Sequence, residues 1–110
     1  MLGVLLVHTA CVTTDELAPP VDAIIGGRQG GAGAHLLSAE ERASISLGRS
    51  LYLTDCADCH APESVLAHTM HAWNEILPRM AKESKLTDDE IDAVREYVRA
   101  VHNWASVAAQ

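Results

Sequence analysis

Cys56-Ala57-Asp58-Cys59-His60 decides the reading of this 110-residue chain. Two cysteines three apart with a histidine directly behind them form the attachment signature of a c-type haem. Each thiol adds to one vinyl group of the porphyrin, and the imidazole of His60 turns onto the iron as proximal ligand. Thioredoxin-like dithiols and zinc sites also use Cys-x-x-Cys, so the surroundings must discriminate. A thioredoxin-like site follows a strand and opens a helix, whereas the residues before Cys56 read as helix and the chain offers no set of strands. Zinc calls for a second Cys or Cys/His pair, yet the only other cysteine is Cys11, far upstream in an apolar leader. The motif therefore points to one covalently bound haem c with its iron, and to a protein part that sets ligation, potential and access.

Helix signals flank the motif on both sides. Ser38-Ala39-Glu40-Glu41 reads as a capping box, with Leu36 and Leu37 before it as an apolar staple. The helix it opens runs to about Thr54, with Ile45, Leu47, Gly48, Leu51 and Tyr52 near one face, and it delivers the chain directly to Cys56. Gly48 costs helix propensity, so its presence predicts a close approach by another helix. Thr87-Asp88-Asp89-Glu90 is a second capping box and starts a helix to about Asn103 with a stripe of Ile91, Val94, Val98 and Val101 beside Tyr97. A third helix, near His71 to Lys82, aligns Trp73, Ile76, Leu77 and Met80 on one face, and Pro78 within it predicts a kink or a break after Ile76.

Taken together, Gly48-Arg49-Ser50-Leu51-Tyr52, the haem motif, and Leu86-Thr87-Asp88-Asp89-Glu90-Ile91 through Tyr97-Val98 resemble the class I cytochrome c family over about Ser38 to Trp104. The resemblance implies an all-α fold, a small bundle of three main helices around a covalently bound haem, preceded by a flexible N-terminal segment. It also implies that the first and last helices cross closely, with Gly48 meeting the ring of Tyr97. A distal methionine shortly before the last helix is part of the family pattern, and Met80 stands there, although Pro78 precedes it where the family has a proline following. A soft neutral thioether favours ferrous iron and raises the potential. Met70, His68 and His71 are rival distal ligands in the same segment, and His102 is another on the last helix. Trp73 is expected against the porphyrin edge, its indole N–H directed to a propionate or a carbonyl.

Net charge is −7, from eight Lys and Arg against fifteen Asp and Glu. Such a surface repels phosphates and argues against nucleic acid, while it suits redox partner proteins with a basic patch. Residues 1–12, MLGVLLVHTACV, read as a secretion or lipoprotein-like leader, too short to span a bilayer, with Cys11 as the lipid-bearing candidate. Residues 13–35, with Pro19-Pro20 and a run of glycines, read as a flexible tether. Residues 36–105 form the haem domain and 106–110 a short tail. From Ser38 onward the chain has no Phe and four aromatic residues, Tyr52, Trp73, Tyr97 and Trp104, so a porphyrin is expected to supply missing core. The expectation is a non-enzymatic electron carrier in the periplasm or on the outer face of a bacterial membrane. Its alternative is a haem protein with an open or labile sixth position that binds a small ligand or reduces peroxide.

Overall fold

In the computed structural model, which describes residues 11–26, 37–58 and 61–109, three Ser/Thr-x-x-Glu sequences each start a helix. Thr13, Ser38 and Thr87 accept the N3 backbone N–H with their hydroxyls, and Glu16, Glu41 and Glu90 accept the cap N–H in return. These boxes open α1 (Thr14–Leu17), α3 (Ala39–Leu53) and α5 (Asp88–Ala108). Between them lie α2 (Val21–Gly26) and α4 (Met70–Ser84), with single 3₁₀ turns at Cys56–Asp58 and Val65–Ala67. All regular structure among the described residues is helical. Lys85 stops α4 in the left-handed region, at φ 57°, a conformation that costs a side-chain-bearing residue about 1 kcal/mol.

The most extensive packing is between α3 and α5, and Gly48 explains its closeness. A Cβ built at position 48 would lie 2.0 Å from the Ala93 carbonyl oxygen and 2.9 Å from Cβ of Tyr97. Only hydrogen fits there, so the two backbones meet where the sequence pairs Gly48 with Tyr97. Around this crossing Ile45, Leu51, Tyr52, Ile91, Val94, Val98 and Val101 are buried. α4 closes the bundle against α5 with Trp73 and Leu77.

Two expectations about helix extent change. α4 is continuous through Pro78, which is exposed; the carbonyl its missing N–H would have met belongs to Asn74, also exposed, so the lost bond falls on the solvent side of the helix. α5 continues past Asn103 to Ala108, so most of the supposed tail is helix.

The larger correction concerns the tether. Residues 13–26 form a docked strap: Ala18 and Ile24 are fully buried, and Pro19 and Ile25 are buried with them. α2 packs on both α3 and α5. The Pro19-Pro20 pair, read as linker composition, instead sets the turn between two helices, and the Pro20 carbonyl accepts the N–H groups of Ala23 and Ile24. Polar bonds fix the strap as well. Tyr97 Oη donates to the buried Pro19 carbonyl at 2.8 Å. Arg49 Nε donates to the Ala18 carbonyl at 3.1 Å, while its Nη2 pairs with Asp15 at 2.9 Å. Full burial of Ile24 alone is worth about 1.5–3 kcal/mol, so the core is larger than the inventory after Ser38. Residues 1–10 of the leader, 27–35 of the expected tether and Leu36 of the expected staple lie outside the described residues; Cys11 and Val12 are exposed.

Candidate functional site

The C-terminal end of α3 hands the chain straight to Cys56. Thr54 closes the helix by donating its N–H and its hydroxyl to the Ser50 carbonyl, and Ala57 N–H then bonds Thr54 to form the 3₁₀ turn that carries the first motif cysteine. The Cys56 thiol is free and buried. Burial, with a smaller contribution from the Asp55 carboxylate, pushes its pKa from 9.0 up to about 11. A dithiol redox centre needs the opposite shift, toward a thiolate at neutral pH. Cys59 and His60 lie outside the described residues, so their expected roles as second attachment point and proximal ligand rest on the sequence alone.

Cys56 faces a cavity of about 100 Å³ whose wall also includes Tyr52, Glu63, His68, Trp73, Ile76 and Met80. Three elements build it. Tyr52 comes from the last turn of α3, four residues before Cys56 in the 3₁₀ turn that follows; Trp73, Ile76 and Met80 come from one face of α4; Glu63 and His68 come from the segment between the motif and α4. Two side-chain hydrogen bonds tie that segment down. Tyr52 Oη donates to the Glu63 carbonyl at 2.5 Å, and Trp73 Nε1 donates to the Val65 carbonyl at 2.8 Å. The indole therefore takes the carbonyl partner anticipated for it. Desolvation raises the Tyr52 hydroxyl pKa well above its usual value, with the charge of Glu63 adding to the effect, so it remains a donor at neutral pH. Edge-to-face contacts join Tyr52 to Trp73, with centroids 5.9 Å apart, and Trp73 to His68, at 5.3 Å.

This geometry separates the rival distal ligands. Met80 and His68 both line the Cys56 cavity. Met70 packs against the core without lining it, and His71 is directed outward beside Glu75, its side chain 89% exposed. His102 sits on α5 away from this wall, its Nε2 buried without a hydrogen-bond partner. Sequence reasoning gave Tyr52 only a packing role and overlooked Glu63. The spacing of Tyr52 four residues before Cys56 was the available signal for the first. Glu63 contributes mainly through its backbone carbonyl, which no sequence pattern marks.

Thiol, thioether and imidazole on an aromatic and aliphatic wall form a donor set suited to an iron porphyrin. In volume the cavity matches a benzene-sized void rather than a macrocycle. Accommodation of a porphyrin therefore requires the 61–68 segment to move outward; Ala61, Glu63, Leu66 and Ala67 of that segment are exposed, but Val65 is fully buried and its carbonyl is held by Trp73, so the movement would break that bond and uncover Val65. Among the described residues, which leave out Cys59 and His60, no three His, Cys, Asp or Glu side chains gather as a metal-binding group. No described helix is long and apolar enough to cross a membrane. No protein-family model, curated protein or solved structure matches the chain.

Proposed function

We propose that the chain is a monohaem c-type cytochrome that carries single electrons between redox partner proteins outside the cytoplasm. The observation that carries this reading is the convergence of Cys56, from the attachment motif, with Met80 and Trp73 on one apolar cavity. When bound, the iron porphyrin supplies a one-electron ferric/ferrous couple. Cys56 and Cys59 would hold it covalently, and His60 and Met80 are the residues that would ligate its iron, through an imidazole and a neutral thioether. Trp73 and Ile76 keep water from that wall, and Trp73 also holds the Val65 backbone in place.

The acidic surface suits basic partner proteins and disfavours nucleic acid. Export to the periplasm or to the outer face of a bacterial membrane, with Cys11 as a lipid anchor, belongs to the same proposal. The rival reading, a ligand-binding or peroxide-reducing haem protein, draws on the small free volume beside Met80.

Production of the chain together with a haem-attachment system tests the proposal. Mass spectrometry should find one haem per chain, bound through both motif thiols, with a reversible one-electron couple by voltammetry. A mature chain carrying zinc or a free dithiol overturns it.

A further inference from the structure

We propose that the α3 and α5 surface beneath the strap is a binding groove for an Ala-Pro-Pro segment followed by an apolar pair, and that it takes the strap of a second copy of this chain as it takes its own. Arg49 of α3 and Tyr97 of α5 supply its polar contacts, so the groove lies apart from the haem motif.

The strap makes two separate sets of bonds. Within itself, Thr13 and Glu16 complete the cap of α1, Ala18 N–H bonds the Thr14 carbonyl, and the Pro20 carbonyl accepts the first N–H groups of α2. Across to the body, Arg49 Nε donates to the Ala18 carbonyl and Tyr97 Oη to the Pro19 carbonyl, so two helices meet two successive carbonyls. Pro19 and Pro20 have no N–H to leave unpaired, and every carbonyl from Ala18 to Pro20 has a donor, although Ala18 and Pro19 are buried. The fixed φ of the prolines also lowers the entropy lost on docking. Ile24 and Ile25 are buried where α2 packs on α3 and α5, and Asp15 pairs with Arg49. Main-chain bonds that hold a segment, with buried side chains that select its sequence, are how grooves recognise peptides.

The docked state also bounds the affinity. Ten residues, four of them glycine, join Gly26 to Leu37. A short link holds its two ends at an effective concentration of roughly millimolar. A strap that stays docked at that concentration binds a vacant groove, as a free segment, with a Kd of about 1 mM or tighter. Exchange between two copies makes the same contacts as docking within one, so exchanged pairs become comparable to closed monomers as the chain itself nears roughly millimolar concentration.

The test uses the full chain with its own strap disabled by Ala18→Asp and Ile24→Asp, its helix content checked by circular dichroism, and a synthetic peptide of residues 12–26 as the probe. Calorimetric titration should give a Kd of about 1 mM or tighter. The parent chain, whose groove is occupied, should bind the peptide severalfold more weakly, and a peptide carrying Ala18→Asp should not bind. Arg49→Ala in the disabled chain should weaken binding severalfold. No binding at about 1 mM, or equal binding by the disabled and parent chains, overturns the groove. Should the disabled chain lose its helices, a protease site placed between Gly26 and Leu37 of the parent lets the link be cut after folding. The strap fragment should then stay on the body at about 1 mM and give way to labelled peptide; a fragment that separates, or that no peptide displaces, overturns the groove as well. Parent chain incubated at about 1 mM should contain dimers by light scattering that the disabled chain lacks. A parent that stays monomeric there overturns the second copy as partner.

Discussion

Gly48 within α3 and Cys56 in the turn after it show how single atoms set the limits of this fold. A methyl group at position 48 has nowhere to go, since its nearest neighbours are backbone atoms of Ala93 on α5. Gly48→Ala should cost at least about 3 kcal/mol, at or beyond the top of the usual overpacking range. A drop in the urea midpoint measures this, and a variant as stable as the parent would show that α3 and α5 do not cross here. Cys56 governs the alkaline limit of the haem-free chain. Its thiol titrates at about 11 when folded against an ordinary 9.0, so the folded state holds the proton more tightly. The resulting stabilisation is complete below pH 9 and disappears as pH rises from 9 toward 11. Tyr52 and Tyr97, both raised above 10.0 chiefly by burial, add losses that begin only above pH 10. In urea titrations the haem-free parent should weaken from pH 9 upward and Cys56→Ser only from pH 10. Coincident pH profiles would contradict the buried thiol.

Among the elements, the strap of α1 and α2 teaches most about legibility. Capping boxes at Ser38 and Thr87 announced α3 and α5 because a hydroxyl and a carboxylate three apart satisfy backbone groups locally, without help from distant residues. Thr13 and Glu16 make the same box, and Ile24-Ile25 offers an apolar pair, yet Pro19-Pro20 and the following glycines carried more weight. What fixes the strap is non-local: a carbonyl beneath Tyr97, another beneath Arg49, and side chains set into the α3 and α5 surface. Pairings across so much sequence have no local signature. The cavity divides in the same way, since the α4 stripe was legible from its period while the Glu63 and Val65 carbonyls were not. Tyr97→Phe strands a buried carbonyl and should cost about 1–3 kcal/mol. Deletion of residues 1–26 should lower the melting temperature by more than Tyr97→Phe does. A deletion variant that melts with the parent would return the strap to the status of a dispensable tether.

At the scale of the whole molecule, one aromatic series links strap and cavity. Tyr97 holds Pro19 and lies 6.3 Å from Tyr52, which meets Trp73, which meets His68. Pairs of this kind each contribute about 0.5–1.5 kcal/mol beyond burial. The α3, α5 and strap unit buries its own apolar faces, whereas the cavity wall depends on a short exposed segment and one face of α4. Hydrogen exchange on a Cys56→Ala/Cys59→Ala chain should therefore find α3 and α5 protected, with residues 61–68 and the start of α4 exchanging fast. Uniformly fast exchange would mean that no part of the core stands once the two motif thiols are removed. The strap also changes what an attachment at Cys11 would be. A flexible 13–35 segment would give the domain a roaming radius of about 26 Å, but with α1 capped at Thr13 the free stretch is two residues, about 7 Å at full extension. A domain held that way is berthed at its mooring: one side of it always faces the support, and partners must arrive from the others. A Gly/Ser spacer inserted after Val12 would then change the rate of electron exchange with a membrane-bound partner, because it would restore the swing that the docked strap removes.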